Sequence, residues 1–561
     1  MIEAGTPSPD TDRLMAHIRE FARRVKLSGT PEELESFQYL RSEMKSYGYR
    51  TELVSHDAFI SLPGRAKVEV NGVSLRCITH SMSASSPTGG LMAALVHVGE
   101  GTEAEFSRFD VAGKIVLVEG IATEEVAALA SAAGALGQLH ISPTEHLYEM
   151  CVSPVWGSPS QYTRGQLPTT VICTISHDDG DQMRRHLTSG EEVRVRMEAE
   201  VDTNWRKTPL LVADLGPPTD ADDAPFVMFS GHHDTWHFGV MDNGGANATM
   251  LEAARLLAAQ RSEWKRGLRV CFWSGHSHGR YSGSAWYADE YFDELDRRCV
   301  AHVNIDSTGA EGATVLTNSG VTDELKSVAA EAIEVVSGQM HAGRRHGRAA
   351  DQSFWGVGIP SMFGSLSHQP PSPVKMLTAL GWWWHTPHDT IDHIDPENLT
   401  RDTRIVLRVL QRLLISPVLP YDYAAYAVAL GDQLIKLSGQ LAGRLDIARL
   451  IAATRELEQK SISVLGMQAA SSVEATDRVN AALMRASRWL VPLNYTTGER
   501  FRHDPALPHV PWPSLAGMWE LARLPSGSPD TAFYTVHARQ MRNRVAHALR
   551  EANTALKAAL D

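Results

Sequence analysis

Five cysteines in 561 residues, at positions 77, 151, 173, 271 and 299, are too scattered for a disulfide framework or a paired metal knuckle, and their number is odd. Three sit in apolar strand-like runs, the usual setting of a buried thiol. No apolar stretch approaches membrane-spanning length, and Met1-Ile-Glu-Ala-Gly-Thr-Pro-Ser-Pro-Asp10 has neither a basic start nor an apolar core. These absences point to a chain with no membrane partner and to the cytoplasm. Positive charge is short too: 53 Lys and Arg against 66 Asp and Glu leave −13 at pH 7, with no basic footprint for nucleic acid. Internal repeats and low-complexity tracts are missing, the nearest being Gln369-Pro-Pro-Ser-Pro373.

What is present suits a globular protein, with 43% apolar and 21% charged residues. The chain is too long for one core, and ~150 residues per domain gives roughly three or four. An amphipathic helix is expected from Asp12 to Lys26. A second follows, with Thr30 as N-cap, Pro31 at its first position, Glu33 three residues beyond the cap, and an end near Gly48. Residues 1–67 thus read as N-terminal helices leading into a catalytic domain. Short β-rich runs separated by Gly, Pro and Ser occupy 68–203, among them Leu91–Val98, Gly113–Gly120 and Thr169–Ser176. Strands alternate with helices over 204–417, which predicts an α/β fold with a mostly parallel sheet flanked by helices. Beyond Pro417 strand signals vanish, and helices are expected near Tyr421–Leu441, Leu445–Ser463, Val473–Leu490 and Thr531–Leu560.

Chemistry concentrates in three stretches. Phe226–Phe229 reads as a buried strand ending at Ser230-Gly231, so His232 and Asp234 fall where open α/β sheets keep ligands. Asp242 follows eight residues after Asp234, ahead of a Gly-Gly turn and a helix start. A His and two Asp before a helix can equally be a capped turn. Two later stretches shift the balance: Val303-Asn-Ile-Asp306 is a strand ending in a carboxylate, and Trp384-His-Thr-Pro-His-Asp-Thr390 offers His385 before a turn. Imidazole with carboxylate suits a divalent metal of the zinc type.

Together these stretches resemble the co-catalytic metallopeptidases of the M28 aminopeptidase and glutamate carboxypeptidase kind. The resemblance implies that His232, Asp242, Asp306 and His385 hold zinc, one ion or two, with Asp242 bridging, and that Asp234 orients the general base. Val111-Ala-Gly-Lys-Ile-Val-Leu-Val118 is similar to a signature strand of protease-associated domains, which makes 68–203 such an insert. Leu419-Pro-Tyr-Asp-Tyr-Ala-Ala-Tyr-Ala-Val428 and the segments around Trp489 and Trp512 resemble the helical dimerisation domain of glutamate carboxypeptidase and the transferrin receptor. A homodimer through residues 418–561 is therefore expected, as is a small-molecule or peptide substrate.

One motif departs from the family. Relatives carry a Glu-Glu pair after the strand that here reads Leu268-Arg-Val-Cys-Phe-Trp-Ser274, one Glu as general base and one as ligand to the second metal. Counting from Trp273, His276 falls on the base position and Ser277 on the ligand position. The expectation is that His276 stands in as base, that His276 or His278 gives nitrogen to the second metal, and that the substrate is a specialised amide. Asp351, Arg348 and Trp384 are candidate substrate residues. Two other readings stay open. Gly275-His-Ser-His-Gly279 fits a nucleophile elbow, so a serine hydrolase could use Ser277 with Asp306 or Asp351 and His385. A non-catalytic, dimeric binding homologue would also tolerate loss of both Glu.

Overall fold

The computed structural model describes residues 6–190, 192–219, 223–372, 377–467 and 472–561. The first five residues and Pro373, used above in reading the start and the Pro/Ser stretch, lie outside them. The strands among the described residues, in chain order, are β1 Arg50–Val70, β2 Val73–Leu75, β3 Cys77–Thr79, β4 Leu91–His97, β5 Ile115–Glu119, β6 Gly137–Ile141, β7 Val171–Ile175, β8 Arg194–Leu215, β9 Phe226–His232, β10 Gly267–Trp273, β11 Cys299–Asp306 and β12 Ser361–Ser365.

The larger layer runs β12-β11-β9-β10-β8. Its β12/β11, β11/β9 and β9/β10 pairs are parallel, so these strands end along one edge. Both faces are covered, as parallel strands require. On β9, Val227 and Phe229 pack into the core with Leu14, Phe37, Leu251 and Val406 from the helices Thr11–Phe21, Pro31–Ser46, Ala246–Ala258 and Pro396–Ile415. Phe226 and Met228 point the other way, to Tyr287 and Leu295 of the helices Ser282–Glu290 and Phe292–Arg298. The helix from Pro31 starts as its sequence dictates, with Thr30 Oγ1 accepting from Glu33 N. Glu33 reaches back one residue further than in a capping box and accepts from Gly29 N at 2.7 Å.

The smaller layer contains the parallel run β4-β5-β6-β7. It joins the larger one through β1 and β8, a long antiparallel ribbon registered from Arg50↔Asp214 to Val70↔Val195. One end of β8 pairs with β10 and the other with β4. The expected boundaries at 67/68 and 203/204 therefore fall inside β1 and β8, because both strands continue from one layer into the other. After Pro417 the chain is helical: Tyr423–Leu441, Ala448–Gly466, Val473–Tyr495, Ala516–Arg523 and Thr531–Leu560. Among the described residues no helix is long and apolar enough to cross a membrane. Four of the five cysteines are buried and all five are free thiols.

Candidate metal centre

His232 is the last residue of β9, Asp306 the last of β11, and His276 follows β10 by three residues. Parallel pairing brings these three strand ends side by side, which is why residues so distant in sequence meet. His232 Nε2 lies 3.1 Å from Asp242 Oδ1 and 3.5 Å from Asp306 Oδ1. The other oxygen of Asp242 lies 3.1 Å from His385 Nε2. One carboxylate thus presents one oxygen to each of two imidazoles.

The ring tautomers follow from the outer nitrogens. His232 Nδ1–H donates to the carbonyl of Asp234 at 2.9 Å, and His385 Nδ1–H to the carbonyl of Glu149 at 2.6 Å. Each Nε2 of a neutral ring then carries a lone pair aimed at a carboxylate oxygen, acceptor against acceptor. Such an arrangement needs a cation between the atoms, and two imidazole nitrogens with carboxylate oxygens are a zinc-type donor set. With protons as the available cations, burial opposes charge on His232, yet Asp242 and Asp306 hold its pKa well above the ordinary value. Burial likewise opposes ionisation of Asp242, and His232 and His385 hold its pKa well below the usual range. At His385 burial wins over Asp242 and lowers the pKa.

The backbone around the donors is pinned. Asp389 accepts from Met241 N at 2.8 Å and Asp242 N at 3.1 Å. Burial, with Asp242 nearby, pushes its pKa up to about 7. Asn243 donates to the carbonyls of His232 and Ile305 and accepts from Ser307 N, stitching the ends of β9 and β11 together. Ser307 and His385 hold left-handed backbone at φ 53° and 56°, costly for residues with a Cβ and typical of functional sites. Asp389, Asn243 and Ser28 were not singled out from sequence. Asp389 and Asn243 adjoin the metal motifs, and that adjacency was the available signal.

The other expected residues divide. Asp234, fully buried, accepts from the amides of His276 and Ser277 and from Ser28 Oγ, so it clamps the loop after β10. His276 stacks on the ring of His232, with centroids 3.7 Å apart. His278 does not join the cluster: its Nδ1 meets Ser28 Oγ at 2.9 Å and its ring packs on Trp236. Of the two His278 nitrogens, Nδ1 is thus engaged by a buried serine, and a nitrogen for a second metal could come only from its Nε2. Arg348 is also displaced from its expected role. It donates to the carbonyls of Asp504 and Pro505 and lies 3.8 Å over Trp156, tying a distant loop to the α/β body. Trp384 is buried against the His385 ring at 3.5 Å, where it packs rather than presents a face to substrate. Asp351 contacts His276 and Ser284, not an open pocket.

Residues 211–410 match the model of peptidase family M28. The chain is 22% identical to "Probable glutamate carboxypeptidase AMP1" of Arabidopsis thaliana, over 79% of this chain and 73% of that one. It is 24% identical to aminopeptidase YwaD of Bacillus subtilis, covering 67% and 78%. Among solved structures, an aminopeptidase from Aneurinibacillus sp. strain AM-1 superposes with TM-score 0.57 at 22% identity, over 73% of this chain and 95% of that one. A zinc aminopeptidase from Bacillus subtilis gives 0.57 at 20%, over 73% and 96%. All four donors, His232, Asp242, Asp306 and His385, lie within the matched segment, and the chain thus carries a domain of peptidase family M28.

Proposed function

We propose that the protein is a metal-dependent hydrolase that cleaves a C–N bond in a peptide or small amide. The carrying observation is the Asp242 carboxylate, with one oxygen against His232 and the other against His385. His232, Asp242 and Asp306 would hold a divalent ion of the zinc type, and His385 with the second oxygen of Asp242 marks an adjoining position. A bound ion there lowers the pKa of water toward ~7 and polarises the scissile carbonyl. Asp234 fixes the loop that carries His276, and the His276 ring stacks on that of His232, beside the donors that would hold the ion. The relatives named glutamate carboxypeptidase and aminopeptidase support peptide-like substrates. With a neutral Ser277 hydroxyl where the family resemblance implies a carboxylate, the substrate is expected to be specialised.

The serine-hydrolase reading fits less well. Both ring nitrogens of His385 are engaged, and among the described residues no hydrogen bond joins Ser277 Oγ to an imidazole. A homologue that binds only a non-metal ligand would not need two imidazoles held against the two oxygens of one buried carboxylate. We also propose that the chain works as a homodimer through its C-terminal helices.

Elemental analysis of the pure protein, with turnover of L-leucyl-para-nitroanilide and of a peptide ending in glutamate, tests the reading. Expected are bound zinc or a similar ion, loss of turnover on chelation, and loss of the ion in His232→Ala. A protein purified without metal and unable to bind added zinc would end it, and fluorophosphonate labelling at Ser277 would favour the serine enzyme.

A further inference from the structure

His276 approaches the metal donors closely enough to be counted among them, its donor atom lying within 4.8 Å of those of His232 and Asp306. Ring orientation argues against that role. The two imidazoles are parallel to within 13°, with centroids 3.7 Å apart. An imidazole lone pair lies in the plane of its ring, so the lone pairs of two stacked, nearly parallel rings run side by side and do not converge on one point. A cation held by Nε2 of His232 would therefore not be shared with His276.

The far side of His276 is fixed by a buried carboxylate. Nδ1 lies 2.7 Å from Asp351 Oδ2, and Asp351 is 1% exposed. An ionised carboxylate only accepts, so this contact places the proton on Nδ1 and leaves the lone pair on Nε2. The remaining oxygen of Asp351 accepts from Ser284 Oγ at 2.7 Å. Ser284 also meets Ser353 Oγ at 2.9 Å, and Ser353 accepts from the indole N–H of Trp156 at 2.9 Å. Asp351 stands in left-handed backbone at φ 54°, a conformation retained at a cost that its buried partners must offset. Both carboxylate oxygens are thus committed, and the residue has no free edge for substrate.

We propose that Asp351 is the positioning residue of an imidazole base, a carboxylate–His276 dyad in place of the carboxylate base that the sequence lacks. Nε2 of His276 takes a proton from water as its oxygen bonds to the scissile carbonyl carbon. The same proton then passes to the leaving nitrogen as the C–N bond breaks, so acid and amine are the balanced products. This rests on the hydrolase reading.

The test compares wild type with Asp351→Asn, Asp351→Glu and His276→Gln. It uses metal content per chain, thermal denaturation, ¹⁵N-imidazole spectra, and kcat and KM on whichever of L-leucyl-para-nitroanilide or the glutamate-ending peptide is turned over. Asp351→Asn is expected to keep its metal and melting temperature, to lose the hydrogen-bonded Nδ1 proton of His276, and to lower kcat about 10²- to 10⁴-fold with KM within about two-fold. Asp351→Glu should recover part of both the proton signal and the rate. Metal loss in His276→Gln would make His276 a ligand and overturn the proposal, as would unchanged kcat in Asp351→Asn. A wild-type protein that holds metal yet turns over neither probe overturns the proposal together with the hydrolase reading. The Nδ1 proton of His276, present in that case, separates this failure from a mistaken pairing.

Discussion

Asp389 offers nothing to an ion, yet its two oxygens take the amides of Met241 and Asp242 and so fix the residue that faces both imidazoles. Supports of this kind typically carry 10- to 100-fold in metal affinity. Asp389→Ala should therefore weaken zinc binding by about that factor in a chelator competition, with every donor side chain still present. Glu324 is a different case, far from chemistry. It is buried, one carboxylate oxygen has no partner among the described residues, and burial pushes its pKa up to about 8. The folded state then binds this proton more tightly than the unfolded chain, whose ordinary value is 4.5. Stability from this group is complete below that value and is lost as pH rises through about 8. Glu324→Gln should flatten the loss, so urea denaturation at pH 5 and pH 8 should show the variant gaining on wild type at the higher pH, by roughly 4 kcal/mol at most. No gain at pH 8 would mean that the carboxylate is solvated. At this scale the sequence was informative where type and strand position coincide, as at His232, Asp242, Asp306 and His385. It was silent where a partner comes from elsewhere in the chain: Ser28 meets His278 across 250 positions and Asp351 meets His276 across 75.

Elements set the distances between those residues. The helix after Asp242 begins against the loop after β11, and a Cβ at Gly245 would stand 2.1 Å from the carbonyl oxygen of Thr308. Backbone meets backbone there, so no side chain can swing aside. Gly245→Ala must push the Asp242 segment away from Asp306, and overpacking of this sort costs about 1–3 kcal/mol. Such a variant is expected to melt lower and to bind zinc more weakly although no donor has changed; an unaltered zinc affinity would show that the two segments move independently. The parallel strands were legible because their apolar runs are short and continuous. The β1/β8 ribbon was missed. Pro63-Gly64 interrupts β1 at a register shift between Pro63 and Ala66. In β8 the alternation of Val195, Met197, Ala199 and Val201 with charged partners was present in the sequence, but its polar half reads like a linker.

At the scale of the whole molecule, the four long C-terminal helices were readable from their helical patterns while the short Ala516–Arg523 helix was not, and the same periodicity leaves apolar residues outside. Val428 and Ile435, seven apart on the helix Tyr423–Leu441 and hence on one face, are 48% and 53% exposed. Ile462 on the next helix and Phe533 and Val536 at the start of the last are exposed too. Scattered singly, such residues need no partner, but a pair at helical spacing on one face makes a stripe. A stable interface buries about 1,200–2,000 Å² in total, which the outer faces of several of these helices together would have to supply. A two-fold dimer would set each stripe against its copy, which is how one patch on identical chains becomes self-complementary. Sedimentation at micromolar concentration should then give twice the 61.5 kDa chain mass. Val428→Glu with Ile435→Glu should return the single-chain mass while leaving zinc content untouched, because neither position lies in the metal-bearing domain. A wild-type species at 61.5 kDa would remove the dimer. A double variant that still dimerises would move the interface to another face of the helical region.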